Sequence, residues 1–353
     1  MERLTFAGIE RKTHPRYLYY VDNILENREI VDENDNEIIE DILEEYKKYS
    51  AIMDLASGEW SWIQENKQKD YKKALADQDK DTLIVMYRNF FRNQISFGIS
   101  APDTDTDADR FELANATLLD IDTWQEFCSE LPVSALEAPK IGNPFGIIVD
   151  NALVMYNSCR HYYHATKIKA LTEHRVKPVI FEIGAGYGGV FFFLNQMRES
   201  FCYIVCDLME TLLTNYYFTK KWSCQADKRI AIKWALDGRI SQEDIEQYQL
   251  VLVPSVSHEN INTYFDVAYN SNSFSEMSYE DISKYFDTIA RNKTEYIFHQ
   301  NSNFRLWETS SRGHTEVLAQ DFPIPPSYKL IYQAISPWTG AGGRYREYLL
   351  QFS

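Results

Sequence analysis

The chain has no C-x-x-C pair and only five cysteines, an odd number, so neither a disulfide framework nor a paired-thiolate zinc site is written into it. Cys128, Cys159, Cys202, Cys206 and Cys224 read as incidental thiols in a reducing compartment. No apolar run approaches the ~18 residues of a membrane span. The opening "MERLTFAGIERKTHPR" lacks the apolar stretch of a secretory signal, which points to a soluble, cytoplasmic protein. Cations are also scarce: 36 Lys and Arg stand against 52 Asp and Glu, a formal net charge of −16. Such a surface repels phosphate backbones and anionic bilayers, which argues against nucleic acid or a membrane as partner. Internal repeats and low-complexity linkers are missing too. What is present is 353 residues, 44% of them hydrophobic, enough for a substantial core in one large or two modest domains.

The first third is patterned for helices. "NDNEIIEDILEEYKKYS" puts Ile38, Ile39, Ile42, Leu43 and Tyr46 on one stripe with carboxylates elsewhere. "WSWIQENKQKDYKKALADQ" and "KDTLIVMYRNFFRNQI" extend the helical pattern. "ISAPDTDTDADRFE" breaks it. Its alternating aspartates fail as a calcium loop, because Ala108 stands where the loop needs glycine and Ala114 where it needs the bidentate glutamate. After the turn chemistry of "IGNPFG", one long helix is expected from about Asp150 to Leu171. Near Pro178 the pattern changes in kind. Short β-prone runs ("PVIFEIG", "CYIVCD", "YQLVLVPS", "FDVAYNSN", "TEYIFHQN") alternate with helical ones, which argues for a parallel α/β sheet. The last two runs, "YKLIYQAIS" and "RYREYLLQFS", lie too close for a helix between them and should form an antiparallel hairpin.

"FEIGAGYGG" follows an expected strand and opens an expected helix, the context that gives a glycine turn meaning. Gly184, Gly186 and Gly189 satisfy G-x-G-x-x-G, the dinucleotide fingerprint. Glu182, Gly184, Gly186 and Gly188 satisfy acid-x-G-x-G-x-G, which resembles motif I of class I S-adenosylmethionine-dependent methyltransferases. Asp207, about 20 residues on at the end of the next strand, suits the ribose hydroxyls in either template. Glu182 favours the second: a carboxylate suits a cofactor bearing an ammonium and repels a pyrophosphate. The C-terminal hairpin points the same way, since a class I methyltransferase sheet ends in an antiparallel seventh strand.

Further segments resemble the bacterial sugar O-methyltransferases. They are "GEWSWIQENKQKDYKKAL" and "NFFRNQISFGIS" near the start, "IGNPFG" with the helix carrying "SCRHYYHATKI", and Phe265 to Ser278 with its Asn-x-x-Ser-Phe-x-Glu-Met pattern. The likeness runs from about Ser57 to the end, with a long insert, "KWSCQADKRIAIKWALDGRISQEDIEQ", before the third strand. The resemblance implies a mainly helical N-terminal region, residues 1–149, acting as lid or acceptor-binding part. It implies a Rossmann-like, seven-stranded methyltransferase domain over residues 150–353, leading helix included. It implies S-adenosyl-L-methionine as cofactor, held by Glu182, Gly184, Gly186, Gly188, Asp207, Leu208, Asn270, Ser271 and Arg160.

The expected reaction is in-line methyl transfer to a hydroxyl, which needs alignment and a group to accept the proton. The candidates are Glu276, His314 and His161. Glu276 also fits a capping box with Ser273, His314 a solvated loop, and His161 an amphipathic packing helix. His299 ends a strand and reads as an ordinary satisfied histidine. His161 and His164 share a face at i, i+3, but no carboxylate stands at matching spacing, so a divalent metal is not indicated, although some enzymes of this kind use one. The acceptor expected is a sugar, nucleotide-linked or part of a surface polysaccharide. Twenty-four tyrosines and 7 tryptophans suit carbohydrate, and Arg305, Arg312, Arg344 and Arg346 would form a local basic patch. The alternatives are a phenolic or other natural-product hydroxyl, or a non-catalytic subunit that binds the cofactor.

Overall fold

The structure is a computed structural model. It describes residues 33–50, 56–97, 107–304, 315–338 and 344–353, with the backbone alone at 33 and 107–112, and the backbone of 3–6, 9–12 and 17–21. In the N-terminal part, strands β1 (Arg3–Phe6) and β2 (Ile9–Lys12) form a hairpin, and β3 (Tyr17–Val21), β4 (Gly146–Val149) and β5 (Ala152–Met155) a three-stranded antiparallel sheet. Between them run α1 (Glu33–Tyr49), α2 (Gly58–Asn66), α3 (Lys69–Ala76), α4 (Lys80–Arg88) and α5 (Asp107–Phe127). The run "WSWIQENKQKDYKKALADQ" thus breaks into two helices, with Gln68 at the junction. Residues 98–106, most of the aspartate-rich loop, lie outside the described residues.

The long helix expected from Asp150 does not form. Asp150 and Asn151 turn the chain at φ 49° and 67°, and the four buried residues of β5 pair back on β4. Only then does α6 (Ser158–Leu171) begin, after Asn157 at φ 81°. Asn and Asp tolerate the left-handed region, so two hairpin residues outweigh the helical stripe behind them.

The main sheet uses β6 (Val179–Ile183), β7 (Cys202–Asp207), β8 (Ile232–Trp234), β9 (Leu250–Pro254), β10 (Val267–Ser271), β11 (Tyr296–Ser302), β12 (Tyr328–Ile335) and β13 (Tyr345–Phe352). Its order is β8-β9-β7-β6-β10-β11-β13-β12. Neighbours from β8 to β11 are parallel, and β13 runs antiparallel to both β11 and β12. This is the Rossmann-like arrangement with an antiparallel last strand, but with eight strands rather than seven. The extra edge strand, β8, comes from the long insert.

Successive residues of the central strands feed two cores on opposite faces, as a two-residue period requires. Ile180, Tyr203, Val205, Leu252 and Tyr269 face α7 (Gly189–Met197), α8 (Met209–Gln225) and the N-terminal helices. Phe181, Ile204, Val251 and Ala268 face α11 (Tyr279–Arg291). On the first face Asp35 of α1, 1% exposed, receives Lys221 Nζ of α8 and Arg88 Nε of α4, each at 2.7 Å, and the Tyr217 hydroxyl at 3.0 Å. A shared buried charge therefore ties the N-terminal helices to the sheet domain. Among the described residues, no helix is long and apolar enough to cross a membrane.

Candidate active site

The strand order reverses at β6, so the crevice between the carboxyl ends of β6 and its neighbours is where an open α/β sheet leaves room for a ligand. A cavity of about 350 Å³ lies there. The glycine turn forms its floor. Gly184 sits at φ 73°, and a Cβ there would stand 2.1 Å from Ser273 Oγ. Gly189 opens α7 with His161 Nδ1 just 2.1 Å from where its Cβ would be, so only glycine lets the histidine ring rest against the turn. Asn270 Nδ2 donates to Ile183 O at 2.8 Å and its Oδ1 accepts from Asn301 Nδ2 at 2.8 Å, clamping the turn from below.

Two carboxylates flank the floor. Glu182, 3% exposed, lines the cavity and accepts from the Tyr203 hydroxyl at 2.9 Å. Burial pushes its carboxyl up to about 8, against the Tyr203 bond and with the Asp207 charge adding to the rise. Asp207 closes β7, and its two oxygens accept from Gly186 N at 3.0 Å and Leu208 N at 2.8 Å. It is thereby held at the cavity edge.

From α6, Arg160 and His161 form one wall. Arg160 Nε is buried with no hydrogen-bond partner, and among the described residues no carboxylate pairs with this guanidinium. His161 Nδ1 lies 3.1 Å from the Tyr187 hydroxyl. Burial, with Arg160 and then His164 nearby, holds this imidazole well below its ordinary range, so it is neutral. His164 turns the other way, into the core, between the hydroxyl of Tyr269 and Gln300 Oε1. The two histidines therefore do not converge on a common point. Among the described residues no group of three or more His, Cys, Asp or Glu is placed to hold a metal ion.

The opposite end is closed from two directions. After β9, the turn Ser255–Asn260 brings in Val256 and His258. From the N-terminal part come Ser57 and Trp60. Ser57 Oγ donates to Asp281, and Trp60 Nε1 donates to Glu276 Oε2 at 2.9 Å.

The structure brings Glu182, Gly184, Gly186, Asp207, Leu208, Ser271, Arg160, His161 and Glu276 to the cavity wall. Gly188 instead backs onto Asn215, and Asn270 lies beneath the turn as its clamp. The Ser273–Glu276 capping box does not form, because Asn272 at φ 69° takes the N-cap position of α10 (Ser273–Glu276) without a side-chain cap bond, and Ser273 Oγ is drawn toward Asn270 and Ile183 O. His314 lies outside the described residues, as do Arg305 and Arg312. Arg344 is ion-paired with Glu316, so it is not a free member of a basic patch. His299 is fully buried and stacked on Tyr348, with Nε2 unbonded; burial lowers it to about 3. Among the tyrosines and tryptophans, Trp124, Tyr71, Tyr87, Tyr203 and Tyr217 are fully buried and do not line the cavity, which takes them away from a carbohydrate there.

Sequence reasoning missed Trp60, Ser57 and His258. The loop "VPSVSHEN" at the end of a strand run was a usable signal for His258. Nothing local marks Trp60, whose partner lies 216 positions away.

No protein-family model and no curated protein matches the chain. Solved structures resemble part of it. The mitomycin 7-O-methyltransferase MmcR is similar at 10% identity over 56% of this chain and 55% of its own, with a TM-score of 0.37. The match thus spans about half the length of that enzyme. The magnesium protoporphyrin IX methyltransferase of Synechocystis PCC 6803 with bound SAM is similar at 9% identity over 56% of this chain and 81% of its own, TM-score 0.37. The glycopeptide N-methyltransferase MtfA complexed with sinefungin is similar at 12% over 55% and 87%, TM-score 0.34.

Proposed function

We propose that the chain is an S-adenosylmethionine-dependent O-methyltransferase. The observation that carries this reading is one cavity in which a glycine turn is flanked by a buried carboxyl, Glu182, and a second carboxylate at its edge, Asp207. A protonated Glu182 offers a pyrophosphate no attraction, whereas an amino acid's ammonium gains an ionic partner there once the carboxyl gives up its proton. Arg160, with no anionic partner among the described residues, suits that amino acid's carboxylate. Gly184, Gly186 and Ser271 supply backbone or small side chains that let the cofactor lie close to the turn, and Leu208 walls the ribose side. When bound, the cofactor supplies an activated methyl group.

The chain's own residues then have two tasks. One is alignment, which the rigid strand ends provide. The other is to take the proton of the acceptor hydroxyl. His161, neutral and at the wall beside the turn, is the better placed of the described candidates. Glu276 lines the same cavity but is already engaged by Trp60.

For the acceptor we keep a sugar hydroxyl, on the likeness of Phe265–Ser278 and α6 to the sugar O-methyltransferases. Calorimetric titration with S-adenosylmethionine and with NADH tests the cofactor: binding of the first, lost in Asp207→Ala, is expected, and binding of NADH alone would overturn the reading. A methyl-release assay over nucleotide sugars and phenols then tests the acceptor, with turnover of phenols alone removing the sugar.

A further inference from the structure

The main sheet ends on β8 and on β12, and among the described residues no further strand pairs with either. β8 is three residues long and half-buried, and its Lys233 is ion-paired with Asp244. β12 differs in length, cover and charge. It runs for eight residues, of which Tyr328 alone is buried. Leu330 and Ile331 are each 53% exposed and Ile335 63%. The strand is uncovered on both faces, since Gln333 and Ile335 on one and Ala334 on the other are all exposed.

The outer side of β12 also presents main-chain groups. Ser336 N donates to Tyr345 O of β13. In an antiparallel ladder the main-chain groups of alternate residues face the same neighbour, so those of Tyr332 and Ala334 face β13 and those of Gln333 and Ile335 face outward. A charge and a bulge are two devices that blunt such an edge. β12 has both, Lys329 and the irregular step between Leu330 and Tyr332, but they fall in its first half. From Tyr332 to Ile335 the strand is regular, uncharged and free of proline.

Symmetry and charge select the partner. An antiparallel edge can meet its own image about a twofold axis, an arrangement that closes at two copies. Centred on Gln333, this pairing lets the two Gln333 residues exchange both main-chain bonds, sets Tyr332 opposite Ala334 and brings Ile331 of one copy to Ile335 of the other. The formal net charge of −16 makes two copies repel over most of their surface. "YKLIYQAI" contains no carboxylate, and the twofold axis sends its one lysine to opposite ends of the ladder. Pairing β12 with β8 would oppose eight residues to three and leave another two edges open. We infer that two copies of this chain join through β12, antiparallel about a twofold axis at Gln333, so that their main sheets become one continuous sheet. No residue of β12 lines the cavity, and the balance of monomer and dimer is read without any ligand.

The test is sedimentation equilibrium of the full chain at micromolar concentration. Wild type is expected to sediment as a dimer. Ile335→Lys, which places two like charges at the contact, is expected to dimerise about a hundredfold more weakly while keeping the circular dichroism of the folded chain. Val85→Lys, at a residue of α4 that is 62% exposed, is expected to leave the dimer intact. A monomeric wild type would overturn the inference, as would a dimer that survives Ile335→Lys or that Val85→Lys dissociates equally. Should Ile335→Lys not fold, amide hydrogen exchange in the wild type decides. The outward amides of Gln333 and Ile335 are expected to be protected in the dimer and to exchange about tenfold faster on dilution. Exchange that is fast at every concentration refutes the pairing.

Discussion

Trp60 Nε1 donates to Glu276 Oε2 at 2.9 Å, and this bond between residues 216 positions apart makes the N-terminal helix α2 a wall of the cavity. Beside it, Gly58 turns at φ 60° with the carbonyl of Glu276 only 2.1 Å from where a Cβ would be. The helix start is thus seated directly on the segment that follows β10. Trp60→Phe keeps the ring and removes the donor, so we expect S-adenosylmethionine to bind about fivefold more weakly, for roughly 1 kcal/mol of lost hydrogen bonding. The melting temperature should fall by roughly 1–3 °C, since the bond is lost from the folded protein as well. Gly58→Ala, which forces the backbones apart, is expected to weaken binding further. Calorimetry checks both, and an unchanged Kd in each would remove α2 from the ligand's surroundings.

A second contact made by the N-terminal part concerns stability rather than binding. Asp35 lies between Lys221 and Arg88, all of them largely buried. Asp35→Ala leaves two cations out of water without their anion, a change of about 3–5 kcal/mol. A drop of roughly 5–15 °C in a thermal scan is expected. Binding measured well below the transition should be unaffected, because Asp35 is not part of the cavity wall.

These two contacts also show what the sequence displays and what it hides. The β6 turn, the alternation of strands with helices and the final hairpin are local patterns, so they were legible from residue order alone. Glu182 and Asp207 were legible because the chemistry of a glycine turn fixes their spacing. Trp60, Asp35 and Ser57 were not, since each acts through a partner that only the fold brings near. Asn270 stands at the strand end, where the spacing suggests a cofactor contact. Its side chain is spent on Ile183 O and Asn301, a competition between clamp and ligand that spacing does not reveal. The strand β5 was hidden by the helical stripe of α6, and only the paired positive φ values at Asp150 and Asn151 separate the two.

Gly184 carries two constraints at once, a φ of 73° and a Cβ position 2.1 Å from Ser273 Oγ and 2.6 Å from its Cβ. Gly184→Ala should therefore displace the turn and weaken S-adenosylmethionine by about a hundredfold or more. Adding Ser273→Gly removes both clashing atoms but not the backbone strain. The double variant is expected to recover part of the affinity and not all of it. Full recovery would show that contact with Ser273, rather than conformation, demands the glycine.

The buried Glu182 makes both stability and binding depend on pH, with signs that differ. Its folded carboxyl sits at about 8 against an ordinary 4.5, so the ligand-free protein holds a proton at neutral pH that the unfolded chain has already lost. Stability from this group is therefore undiminished below about pH 4.5 and declines as pH rises toward 8, where the carboxylate must charge without water. Glu182→Gln carries no such proton, so its gain in melting temperature over wild type should be larger near pH 8.5 than near pH 5. Binding runs the other way. An ammonium prefers the carboxylate, so S-adenosylmethionine should release a proton on binding and tighten as pH rises from about 6 to 7.5, by up to about tenfold per unit. Near pH 8 the ligand's own amine begins to lose its charge and the trend ends. Calorimetry in two buffers of different ionisation enthalpy counts the proton directly. Glu182→Gln is expected to bind more weakly, to release no proton and to show no such rise, whereas a flat profile in the wild type would mean that the ammonium is held elsewhere.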